Sequence, residues 1–221
     1  RNITRTYNNI YIEGANLWIV NGTGTTDGTP NGLGNLIVGY NKMRNSDSDK
    51  TGSHNIIVGD NHNYSSYGGL VAGYQNAISG SFASVGGGIG NTASGDYSSV
   101  SAGQANTASG YSSGVSGGIL NTASNLGSSV SGGHDNTASA DRSSVSGGHR
   151  NTASGRHASV SGGYDNTASG EYASVSGGTK NEANGFIASV SGGSSNTASG
   201  GYASISGGLF NVASGPTSSI S

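Results

Sequence analysis

The chain has 221 residues, with 42 glycines, two prolines, no cysteine and a formal net charge of −2; charged residues make up 9% of it. Without cysteine there is neither a disulfide framework nor a thiolate metal centre, and the near-neutral balance gives no electrostatic footprint for nucleic acid. Large apolar side chains are too sparse for a thick globular core, and no apolar run approaches the roughly 20 residues of a membrane-spanning helix.

In chain order, the start at Arg1, with neither Met nor a signal peptide, reads as a processed or trimmed fragment. Residues 1–69 read as an irregular β region that caps the remainder of the chain. Trp18, Ile19 and Val20 in NLWIVNG are expected inside a wider, bulkier cap. Asn35 to Asn41 (NLIVGYN) and Asn55 to Asn61 (NIIVGDN) read as two related strands, and polar Arg44 to Lys50 (RNSDSDK) reads as an exposed loop between them. Gly68 to Asn76 (GGLVAGYQN) leads into a regular register, in which Leu70 and Ile78 are expected to point inward.

From residue 70 to 221 the chain repeats itself without insertion. Val85, Val100, Val115, Val130, Val145, Val160, Val175, Val190, Ile205 and Ile220 share one register; Ala93 through Ala153 to Ala213 share a second. Asn76, Asn91, Asn106, Asn121, Asn136, Asn151 and Asn166, continuing to Asn211, share a third. Low hydrophobicity by itself fits disorder, but ten matches in an unbroken period specify an architecture. Alternation in SVS and in NTAS marks two short strands per unit. The Gly147-Gly148 pair and Gly155 mark two reversals. Gly155's column, which holds Asn125 and Ala140 in two units, is expected to be left-handed. Each unit is thus one coil of an all-β parallel β-solenoid. Coils stacked about 4.8 Å apart make a rod of about 50 Å. Its inside is a Val/Ile column facing an Ala column, and Asn is expected to tie the turns together through a stacked amide ladder.

Variation concentrates in the turns. One column runs Asp135, Arg150, Asp165, Lys180, and another runs Asp141, Arg156, Glu171; alternating signs between cross-coil neighbours favour the correct register.

The SVSGGxxNTASG segments resemble the head repeats of YadA-type trimeric autotransporter adhesins, whose pattern is close to SVAIGxxSxAxG. The resemblance covers residues 70–221 and, more loosely, the IVG strands at 36–39 and 56–59. It implies a left-handed β-roll assembled as a trimer at the bacterial cell surface. The unit here is one residue longer than the family's usual one, and Ser146-Gly147 stands where Ala-Ile is usual. The chain also resembles secreted bacterial proteins that place segments like NGLGN (31–35), TGSHN (51–55) and SSYGGLVAG (65–73) before SVSGG repeats.

Catalytic and metal motifs are weak. His134 and His149 share a column that holds neither a third His nor an intervening acid; His54 and His62 flank a strand near Asp60. No Ser lies in a nucleophile elbow, and Gly86-Gly87-Gly88 lacks the following helix of a phosphate loop. Asp96, Asp135, Asp141, Asp165 and Glu171 scatter over both turns instead of clustering. No catalytic residue, metal ligand or cofactor is expected. Tyr97, Tyr111, Tyr172, Phe186 and Tyr202 are candidate contact points at one turn, weighed against a covering role. The reading is a non-enzymatic extracellular adhesive or structural module. Its partners are copies of itself, most simply a trimer, and a host, matrix or cell-surface ligand. Three alternatives stay open: an ice- or surface-binding solenoid using Ser/Thr ladders, a subunit of an end-to-end filament, and a degraded polysaccharide-active solenoid.

Overall fold

The computed structural model describes residues 3–6, 8–44 and 47–221. Asn45 and Ser46, in the expected exposed loop, lie outside the described residues. The fold is all β. Strands β1 (Ile3–Thr6) and β2 (Asn9–Ile12) form a small antiparallel pair. Then come β3 (Leu36–Val38), β4 (Ile56–Asp60), β5 (Asn63–Tyr64), β6 (Leu70–Tyr74) and β7 (Ala77–Ile78). Two-residue strands alternate from there, from Ser84–Val85 and Thr92–Ala93 to Val212–Ala213 and Ser219–Ile220. They build two parallel sheets, one of thirteen strands that includes β3, β4 and β6, and one of eleven that begins at β5. Each strand pairs with its equivalent one coil away, as in Ser144↔Ser159 and Thr152↔Thr167. This is the parallel β-solenoid that the repeat specifies. Among the described residues no helix is long and apolar enough to cross a membrane.

The Val/Ile and Ala columns are inside: Val85 to Val190, Ile205 and Ala93 to Ala213 are each at most 2% exposed, and Ile220 packs against them from the last coil. A third inward column, not expected from the sequence, lies two residues before each Val. It holds Ala83, Ser98, Ser113, Ser128, Ser143, Ala158, Ala173, Ala188 and Ala203, all buried. Strand alternation explains it, since residues two apart share a face. A buried Val contributes about 1.5–3 kcal/mol, and Ala less. So thin a core depends on backbone ladders, such as Ser144 N–H to Ala158 O at 2.9 Å and Thr152 N–H to Asn166 O at 2.8 Å.

Three details differ from expectation. The parallel ladder extends N-terminal of residue 70, through Leu36↔Ile56↔Leu70. In that part Val71 pairs with Val85 and is fully buried, whereas Leu70 points outward at 37% exposed. The coils between Ile57 and Val85 are shorter by one residue, the bonds Gly69 N–H to Asn55 Oδ1 and Asn76 N–H to His62 Nδ1 spanning 14 positions, whereas Leu36 and Ile56 pair across 20. The added residue of later coils lies in the turn after Val, so extrapolating the longer period backwards lands on Leu70. Ile78, beyond that turn, is buried as expected. Finally, Trp18 and Val20 do not fill a bulky cap; they are 81% and 65% exposed, because the 17–34 segment lies across the outside of the first coils.

The two turns use glycine differently. Gly148 has φ +86, and a Cβ there would clash with Gly163 O and fall 2.5 Å from Asn151 Nδ2. Gly147 faces open space, and Ala102 occupies its position in another coil. Gly155 is not left-handed. Its Cβ would clash with Gly170 O, so the requirement is close stacking between coils. The left-handed residue of that turn is two further on, in a column running from Phe82 and Tyr97 to His157, Tyr172 and Tyr202. Asn125 and Ala140 are partly or fully exposed, whereas the glycines of that column from Gly80 to Gly200 are buried, and Ser128 and Ser143 donate to their carbonyls at 2.8 Å.

Candidate functional site

The Asn column forms a continuous hydrogen-bond ladder inside the first turn. Each side chain is fixed at both ends. Asn151 Oδ1 accepts the Asn166 backbone N–H at 3.0 Å, while Asn151 Nδ2 donates to Gly147 O at 2.9 Å and Gly163 O at 3.0 Å. The same pattern links Asn91, Asn106, Asn121 and Asn136, and Asn91 to Asn196 are 0% exposed. This is a structural device, with no side-chain atom left for a ligand.

His62 takes the place of Asn at the N-terminal end of that ladder. Its ring is fully buried, Nδ1 accepting the Asn76 N–H at 3.2 Å and Nε2 lying 3.1 Å from Val58 O. Nε2 therefore carries the proton. Burial pushes the imidazole below its ordinary range, partly opposed by the bond to Val58 O and by the nearby Asp60 charge. His54 lies at the opposite end of β4, where Nε2 accepts the Asn21 N–H at 3.2 Å. Among the described residues no three His, Asp or Glu side chains come together in a group fit for a metal ion.

The variable residues line the two solvent edges. On the first-turn edge His134 stacks on His149 with ring centres 4.7 Å apart, and Tyr164 meets His149 edge-on at 5.2 Å. Of the alternating charges, Arg150 approaches Asp135 at 3.8 Å and Arg156 approaches Glu171 at 3.3 Å. Both pairs are exposed, so each contributes no more than about 1 kcal/mol. Asp96 instead accepts the Ser81 N–H of the preceding coil at 2.7 Å.

The candidate aromatic residues fall into two clusters on the second-turn edge. One joins Tyr67, Phe82, Tyr97 and Tyr111, with successive ring centres 5.4 Å apart. The other joins His157, Tyr172, Phe186 and Tyr202, at 4.9, 6.1 and 5.5 Å. His157, outside the expected set of contact residues, stacks parallel on Tyr172. The five candidates remain 43–56% exposed, yet much of their ring surface is occupied by neighbouring rings. They strengthen the edge as cross-coil pairs and leave partial surfaces for contact.

On the eleven-stranded sheet, Thr92, Thr107, Thr122, Thr137, Thr152 and Thr167 stand in register with one another. Ser94 to Ser169 form a second row two residues on, exposed except at half-buried Ser139. Glu182 and Asn184 interrupt both rows; Ser169 Oγ donates to Asn184 Oδ1 at 2.7 Å, and Asn184 Nδ2 to Glu182 Oε2 at 3.0 Å.

The outside of β3, β4 and β6 is different again. Leu36, Ile56 and Leu70 form one outward column and Val38 and Val58 another, all between 37% and 53% exposed. Compared with known proteins, the chain matches no family model and no curated protein.

Proposed function

We propose that this chain is a non-enzymatic, extracellular structural module of a bacterial surface fibre, the head or shaft of a trimer. It would present its turn residues to a host, matrix or cell-surface ligand. The observation that carries the reading is the separation of constant from variable positions. Val, Ala, Asn and stacking Gly hold the inside, while charged and aromatic residues vary along two solvent edges. Such a scaffold tolerates change at its edges without loss of the core, as a presenting surface requires. The resemblance of SVSGGxxNTASG to YadA-type head repeats supports the trimer. So does the apolar outer face of β3, β4 and β6, which a single roll leaves in water. Module, cofactor-free action and cell-surface location stand together in this reading, with neither nucleic acid nor a lipid bilayer as partner. Sedimentation analysis of the purified chain should give a trimer that Ile56→Asp dissociates. A stable, folded wild-type monomer would sink the trimer.

A second reading rests on the paired Thr and Ser rows. A flat, regularly spaced hydroxyl array suits a crystalline surface such as ice, and Glu182 is its main interruption. Under this reading the wild type shows thermal hysteresis and Glu182→Thr increases it. No hysteresis in either protein removes it.

A further inference from the structure

The 17–34 segment crosses the first coils and encloses a groove of about 380 Å³, lined by Trp18, Val20, Asn21, Thr25, Thr26 and His54. Its size is that of a small-ligand site. Two of its polar atoms are buried and, among the described residues, without a partner: Asn21 Nδ2 and His54 Nδ1. Their chemical character is set by the bonds of their other atoms. Asn21 Oδ1 accepts the Thr23 N–H at 3.0 Å and the Thr23 hydroxyl at 2.7 Å, so the free amide atom is a donor. His54 Nε2 accepts the Asn21 N–H, so in the neutral ring Nδ1 carries the hydrogen and is a donor as well. Asn21 is only 6% exposed. A buried donor left unpaired is costly, and a ligand that supplies acceptors recovers that cost.

The site is built, not incidental. Gly34, at φ +75, lets the Asn21 backbone and the His54 ring close together; a Cβ there would lie 2.7 Å from Asn21 N and 3.0 Å from His54 Cδ2. Asn31 Nδ2 holds Asn21 O at 3.0 Å. Trp18, 81% exposed, lines the same groove and, unlike the turn aromatics, has no ring partner among the described residues. An exposed indole beside two unpaired N–H donors matches a pyranose, with apolar C–H faces for the ring and hydroxyl oxygens for the donors. The Asp27 carboxylate, bonded to the Thr25 hydroxyl, places negative charge beside the groove and disfavours an acidic sugar.

We infer that this groove binds a neutral saccharide unit, with Trp18 stacking on the sugar and Asn21 Nδ2 and His54 Nδ1 donating to its hydroxyls. The inference stands on the groove alone, independently of the fibre reading. The chain has a single tryptophan, so its fluorescence reports on this site directly. Titrating the full chain with methyl glycosides of glucose, galactose, mannose and N-acetylglucosamine should give a saturable change with at least one, at a Kd on the order of 1 mM. Asn21→Asp keeps the Oδ1 bonds to Thr23 but removes the donor, and should weaken binding about tenfold. Trp18→Ala, followed by ligand-observed NMR, should abolish it, with circular dichroism confirming that both variants fold. No saturable response to any neutral glycoside overturns the inference, as does wild-type binding by Trp18→Ala. Stronger binding of a uronate overturns the neutral assignment. A fluorescence change driven by protein concentration alone shows that a second copy fills the groove, and overturns it too.

Discussion

A single asparagine per coil bonds three backbone groups of the turn, one of which, the Gly163 carbonyl in the case of Asn151, also accepts the His149 N–H. Asn151→Ala removes the acceptor of Asn166 N–H and the donor to Gly147 O and Gly163 O. We expect a loss of at least about 2 kcal/mol in urea unfolding, against no more than about 0.5 kcal/mol for the outward Thr152→Ala. The third inward column gives the opposite case. Ser98 and Ser113 bury hydroxyls with no partner among the described residues, whereas Ser128 and Ser143 bond back to their turns. Ser98→Ala and Ser113→Ala should each raise stability by about 1 kcal/mol, as a higher denaturation midpoint will show. His62 supplies a pH dependence. Its folded pKa lies below its ordinary value near 6.5, so its contribution is complete above about pH 6.5 and is lost as pH falls through the folded pKa. Thermal melts between pH 7.5 and 4.5 should show an acid-side loss in the wild type that is smaller in His62→Asn, since Asn is what the ladder holds elsewhere. An equal loss in both proteins would mean that His62 is not the group responsible.

At the scale of a coil, two adjacent glycines that look alike have different tasks. Gly147→Ala should melt like the wild type, because its Cβ meets nothing within 4 Å. Gly148→Ala should lose several degrees or the cooperative transition itself: it places a Cβ against the next coil's carbonyl and strains a φ of +86. Circular dichroism melts decide between these outcomes. Much of the coil is legible in the sequence, since Val, Ala and Asn recur in fixed register and alternation assigns Val and Ala to the inside. The Ala/Ser column is not, because Ser before Ser-Val looks outward by composition, although period-two geometry turns it inward. The left-handed position is hidden for a related reason. Gly155 is conformationally ordinary, and the φ of +59 belongs to His157, whose identity gives no sign of it.

At the scale of the molecule the coils touch only their neighbours, so stability should behave as a sum over units and interfaces. Removing residues 181–195 joins Lys180 to Asn196 in the same register and should leave a folded, slightly shorter rod. Removing only 181–187 joins Lys180 to Ala188 and puts every inward column out of step, which should abolish cooperative melting. Loss of folding in the first deletion would contradict this nearest-neighbour picture. What the sequence determined unaided was the repeating coil, because periodicity in side-chain size and in Asn is a local, one-dimensional code for stacked parallel strands. What only the tertiary structure decided lies where that period breaks. The shorter turns before residue 85 shift the inward position from Leu70 to Val71. The 17–34 segment, which carries no repeat, meets His54 and encloses the groove at Trp18. Those contacts join residues far apart in the chain, held by close backbone approach at Gly34 and by hydrogen bonds that no spacing announces.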